Sequence, residues 1–174
     1  AADLGPQPVS AEEAALWSRW TIPLPKQMAF SGKLILSPAD VGVRVHRDGT
    51  DLERSAAEQL DALFEQRTGS PAGGHAFRIV LGVCDDAGAV NGVHVIDPAT
   101  LRALPNSEQA YAIKPVGDNA LYLTALDARG VFYAARTLCQ LLERDLTDEK
   151  VVIPLAEVLD WPDLQERGEW GGSC

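Results

Sequence analysis

The chain has 174 residues, 46% of them hydrophobic, which suffices for one domain with its own core. Its 15 Lys and Arg against 25 Asp and Glu give a formal net charge of −10. That balance argues against a nucleic-acid partner and against a polybasic membrane patch, and no apolar run approaches the ~20 residues of a membrane-spanning helix.

Ala1 to Val9 carries two prolines and no periodicity and reads as a mobile arm. The opening Ala1-Ala2-Asp3 suits the end left by signal-peptide removal. Ser10 to Arg19 reads as a short helix, because Ser10 and Glu13 have the spacing of a capping box. Trp17 and Trp20 are expected to pin the arm to the domain; a sugar-stacking platform is the sharper alternative. Thr21 to Lys26 is extended, since Pro23 and Pro25 hold their predecessors in β geometry. Short strands are expected at Lys33–Ser37 and Val41–His46. Thr50 to Arg67 reads as the first long helix, with Leu52, Ala56, Leu60, Leu63 and Phe64 as its apolar stripe. Thr50 and Glu53 repeat the capping-box spacing, and Gly69 suits the left-handed residue after the helix.

Phe77 to Cys84 is apolar on both faces, which predicts a strand in the middle of a sheet. Asp85 to Leu104 is rich in turn residues and offers only an edge strand at Val93–Ile96. From Gln109 the pattern sharpens. Tyr111–Ile113 and Leu121–Ala125 flank the turn residues Gly117, Asp118 and Asn119, which predicts a hairpin. Leu121, Leu123 and Ala125 alternate with Tyr122 and Thr124. Asp127 then caps a second long helix, whose Val131, Ala134, Ala135, Leu138, Leu141 and Leu142 share one face. Val151 to Ile153 is a strand, and Pro154 to Trp161 leads outward. The fold expected is α+β: a mainly antiparallel sheet of about six or seven strands, with two long helices packed on one face.

Candidate chemistry is sparse. Asp85 and Asp86 read as turn residues, and Glu12 and Glu13 as first-turn residues favoured by the helix dipole. Neither pair has a neighbour that would set one carboxyl up as an acid. His46, His75 and His94 are scattered, without the spacing of a helical metal site. The serines lack an elbow motif, and Gly69 to Gly74 is too irregular for a phosphate loop. Cys84, Cys139 and Cys174 form an odd set with no short spacing, so neither zinc nor a disulfide framework is signalled. Cys84 and Cys139 are expected as buried thiols, and Cys174 as an imposed boundary within a longer protein. No catalytic residue, metal site or cofactor is assigned.

The order and spacing of several pieces carry a family resemblance. These are the hairpin, the helix D-A-R-G-V-F-Y-A-A-R-T-L-C-Q-L-L, the strand Val152-Ile153-Pro154, and Asp160-Trp161-Pro162 leading to Arg167-Gly168. Together they resemble the non-catalytic second domain of family 20 glycoside hydrolases, the β-N-acetylhexosaminidases, over about Ile22 to Gly168. The resemblance implies an arm and short helix over 1–20, the α+β domain over 21–160, and the start of a truncated (β/α)8 barrel over 161–174. It implies Arg167 as a substrate-binding residue in the full-length parent, where the family's matching arginine bonds sugar hydroxyls. The partners implied are the catalytic barrel of the same polypeptide and, through it, a carbohydrate. The implied location is periplasmic or secreted. Where the family continues with an apolar pair and an aspartate, this chain has Glu169-Trp170-Gly171-Gly172. That outline is also similar to family 84 enzymes, and α-glucuronidases carry a similar preceding domain.

Two further classes stay open on the sequence: a stand-alone carbohydrate-binding module using Trp17, Trp20, Trp161 and Trp170, and a protein-interaction domain. If the barrel reading holds, the segment after Pro162 lacks its strand partners. It is then expected to be poorly fixed, or ordered only through a contact with another molecule, with Leu164 and Trp170 exposed or packed against this domain or a neighbouring chain.

Overall fold

The computed structural model describes residues 5–164. The elements run α1 (Ala11–Trp20), β1 (Gln27–Leu36), β2 (Val41–Val45), α2 (Asp51–Thr68), β3 (Phe77–Val83), β4 (Ala89–Val90), β5 (Val93–His94), α3 (Pro98–Arg102), β6 (Tyr111–Pro115), β7 (Ala120–Ala125), α4 (Ala128–Glu143) and β8 (Val151–Asp160). A six-stranded sheet has the order β1-β8-β6-β7-β3-β2, and β4 and β5 form a separate two-stranded hairpin. The three pairings on the β1 side are antiparallel. The two on the β2 side are parallel: α2 carries the chain back between β2 and β3, and the segment from β4 through β6 does so between β3 and β7.

The α+β expectation, with two long helices on one face, describes this architecture. Under α2 and α4 lie Leu34, Val43, Phe77, Ile79, Leu81, Leu121, Leu123, Val151 and Ile153, all buried. The six stripe residues of α4 are each 0% exposed. Asp127 caps this helix, its carboxylate accepting from the Arg129 N–H. The first turn sits hard against the hairpin: a Cβ on Gly130 would come within 2.3 Å of the Ala110 carbonyl oxygen. Gly69 takes the left-handed conformation that ends α2, with φ 81°.

Several expectations are corrected. Leu52 is 37% exposed, and Glu53 takes the inward position of that turn at 1%. The first turn of α2 reaches the end of the sheet, where backbone N–H groups, not apolar side chains, face inward. The buried stripe is Ala56, Ala57, Leu60 and Phe64, with Leu63 at its margin. The β1 strand begins at Gln27, six residues before the expected start. The last strand does not stop at Ile153; β8 runs through Pro154 to Asp160. Only Val158, Leu159 and Asp160 of β8 pair with β6, so Pro154 stands where the strand has a ladder on one side, beside the register shift in β1. A missing N–H is tolerated there.

Residues 85–104 are not an edge strand of the sheet. With the β4–β5 hairpin and α3 they cover its second face, where Val80, Ala112, Ala120 and Tyr122 meet Cys84, Val90, Val95, Ile96 and Leu101. This explains the two apolar faces of β3. The arm is also tied down as far as it is described. Gln7 exchanges backbone hydrogen bonds of 2.8 and 2.9 Å with Lys33, and Trp17 is buried at 2% against Phe30. Gln7 covers the free edge of β1, and Ala72 to Gly74 cover that of β2. Both edges are thereby covered in part against strand addition.

Leu138→Ala is expected to cost ~2–5 kcal/mol, as deletion of a fully buried leucine does. Leu52→Ala, at an exposed position, is expected to stay within ~0.5 kcal/mol of wild type. Urea unfolding of both variants checks the assignment of the two helix faces.

Candidate functional site

The strands β2, β3, β7 and β8 all run in the same direction, so their carboxyl ends lie along one border of the sheet. Two features share that border.

The first is an open cleft of about 720 Å³ beyond β2, β3 and β7, between the N-termini of α2 and α4. Its floor holds Glu53, drawn inward by the capping box. Glu53 accepts from the N–H groups of Thr50 (2.6 Å) and Val83 (2.8 Å), and His46 Nε2 lies 2.9 Å from its carboxylate. Burial pushes the Glu53 carboxyl up, but the two N–H bonds and the His46 ring outweigh it and hold it below the ordinary value of 4.5. The rim carries Arg47, Asp85, Asn91 and Asp127. Asp85 accepts from the N–H groups of Ala87 and Ala89, as its turn reading requires. Glu53, Asp85 and Asp127 are each engaged with backbone donors, which suits shaping loops more than proton transfer.

The second feature is the point where the chain leaves the sheet. Asp160 is 6% exposed. One carboxylate oxygen accepts from the Lys26 N–H at 3.0 Å; the other accepts from the Tyr111 hydroxyl at 3.1 Å. The Tyr111 hydroxyl is 2.6 Å from Thr137 Oγ1 on α4. Beyond it, the Asn106 amide donates to the Pro162 carbonyl at 2.8 Å, and Lys26 Nζ pairs with Asp163 at 2.5 Å. Gln140 exchanges two 3.0 Å hydrogen bonds with the backbone of Ile22. The Asp160 network was not legible from the sequence. The signal available was Asp160 itself, a carboxylate at the end of an apolar strand.

The other candidates are dispersed. Arg167 and Trp170 lie outside the described residues, as does the segment expected to be poorly fixed after Pro162 except for Asp163 and Leu164. Leu164 is exposed at 72%. Trp17 is buried, Trp20 is exposed at 53%, and Trp161 packs against the second core, so these three form no common platform. Glu13 closes the capping box and pairs with Lys33. His75 meets Arg44, and His94 meets the Ala87 carbonyl. Cys84 is buried, while Cys139 is half-buried in the groove between α2 and α4. Among the described residues no group of three or more His, Cys, Asp or Glu is placed to hold a metal ion, and no helix is long and apolar enough to cross a membrane.

A mixed sheet with two long helices on one face and a second, smaller cover on the other defines an α+β domain. A family model described as glycosyl hydrolase family 20, domain 2, matches residues 20–161, and the chain belongs to this family. Solved structures share the fold. The family 20 exo-β-N-acetylglucosaminidase of Vibrio harveyi, in complex with N-acetylglucosamine, superposes with a TM-score of 0.58 at 20% identity, over 86% of this chain and 20% of that one. The family 20 β-N-acetylhexosaminidase of Streptomyces coelicolor A3(2) gives 0.57 at 20% identity, over 83% and 26%. CpGH84D gives 0.56 at 14% identity, over 84% and 24%. This chain thus spans a fifth to about a quarter of the length of these proteins. No curated protein sequence matches it.

Two outcomes are expected. Because the Glu53 carboxyl is held below 4.5, the unfolded chain binds more protons in acid than the folded one. Its contribution is complete above pH 4.5 and is lost as pH falls through the lower folded value. Urea titrations between neutral pH and the acid limb should show a steeper loss for wild type than for Glu53→Gln. Burial pushes the Cys139 thiol up to about 12, so at pH 8 it should carry about a thousandfold less thiolate than an ordinary thiol of 9.0. Peptide mapping after iodoacetamide should find Cys139 unmodified in the native chain and modified in urea.

Proposed function

We propose that this chain is the non-catalytic accessory domain of a secreted or periplasmic glycoside hydrolase, and that it supports a catalytic (β/α)8 barrel in the same polypeptide. The observation that carries this is the family match, which ends at residue 161, one residue after the bonded carboxylate of Asp160. The parent hydrolyses glycosidic bonds of N-acetylhexosamine-type sugars. Residues 161–174 open its first barrel strand, and Arg167 binds hydroxyls of the terminal sugar there, as groups at the carboxyl ends of barrel strands do. The fold likeness to CpGH84D favours a second reading, the equivalent domain of a family 84 enzyme. A stand-alone carbohydrate-binding module draws less support, since Trp17 is buried and unavailable for stacking.

The isolated chain is expected to leave aryl-N-acetylhexosaminides unhydrolysed: even where the substrate's own acetamido group supplies the nucleophile, an acid must be positioned to protonate the leaving oxygen, and Glu53, Asp85 and Asp127 of the cleft are engaged with backbone donors instead. The same chain continued by its reading frame is expected to hydrolyse them. In that longer protein Arg167→Ala should lower kcat/KM about ten- to a hundredfold, the loss of a charged hydrogen bond. Turnover by the isolated chain that survives repurification, and vanishes on changing one of its own acidic residues, would overturn the reading.

A further inference from the structure

The last ladder pair of β8 is Asp160 with Tyr111 of β6. A strand that merely ends leaves the next peptide units free to turn. Here the exit is fastened by three hydrogen bonds from separate elements. Asp160 takes a bond from the chain entering β1 (Lys26) and one from β6 (Tyr111), whose hydroxyl touches α4 (Thr137). Two residues later, Asn106 of the loop before β6 holds the Pro162 carbonyl. Pro162 is itself buried and restricts Trp161 to extended geometry.

Stability alone does not call for this arrangement. A buried carboxylate is costly to desolvate, and well-packed apolar groups of similar volume serve a core as well or better. What a carboxylate supplies is direction. Its two oxygens take hydrogen bonds from donors on separate elements, and the set closes in one geometry.

We propose that Asp160 is a positioning residue that fixes the path along which the chain leaves the domain, and so sets this domain's orientation relative to the part that follows. The identity of that part as a catalytic barrel rests on the proposed function; the fastened exit does not.

The test is backbone nitrogen relaxation on the 174-residue chain. In wild type the order parameters of Trp161 and Asp163 are expected to match those of β8, near ~0.85. In Asp160→Ala they should fall below ~0.6 while Val151 to Leu159 and α4 keep their wild-type values. Asp160→Asn, which retains an oxygen acceptor for the Lys26 N–H, should restore most of the order. Trp161 remaining at the strand value in Asp160→Ala would sink the proposal. So would an equal loss along β8 and α4, which marks a residue that only stabilises the core. Should Asp160→Ala fail to fold, Tyr111→Phe removes only the phenol oxygen and carries the same two outcomes. Failure of the glycosidase reading would appear separately, as an inactive extended chain with an ordered Trp161.

Discussion

The structure depends on the burial of one face of α4 against the sheet. The β7–α4–β8 connection passes over β6, so this helix joins the hairpin to the antiparallel half while lying beside α2, which belongs to the parallel half. Its Val131, Leu138, Leu141 and Leu142 contribute ~1.5–3 kcal/mol each in transfer free energy, before conformational entropy is charged. No local alternative offers α4 a comparable surface. The helix therefore fixes which strands become neighbours, and Gly130 allows it to approach β7 and the segment before β6 closely enough to do so.

Covering the centre of the sheet on both faces has a cost in polar groups at its border. Strand ends and helix N-termini leave backbone N–H donors there. The chain answers with carboxylates: Glu53 accepts from Thr50 and Val83, Asp127 from Arg129, Asp85 from its own turn, and Asp160 from Lys26. The acidity of the molecule is thus partly structural. These groups occupy the border at which β2, β3, β7 and β8 end, and they give that border fixed geometry.

How this arrangement relates to function follows from what it leaves available. The cleft beyond β2, β3 and β7 lies where open parallel sheets bind ligands, yet its Glu53, Asp85 and Asp127 are committed to backbone donors. The chain exit beside it is the more specific construction, because it ties together residues 26, 106, 111, 137 and 160. A domain built this way suits holding a neighbour in place.

The sequence by itself determined the elements whose pattern is local. The period of α4, the alternation of β7, both capping boxes and the Gly69 terminus all follow from side chains a few residues apart, where the physics is short-range. The family resemblance was legible because several such local motifs follow one another along the chain in a fixed order and spacing. Tertiary structure alone decided the rest. Leu52 and Glu53 exchanged places because the sheet ends beneath that turn of α2. Residues 85–104, with no period of their own, became a cover because an apolar sheet face was there to be covered. Pro154 stayed within β8 because β6 pairs only with the strand's last three residues. The Asp160 network draws its partners from up to 134 positions away, a separation at which no sequence spacing carries a signal.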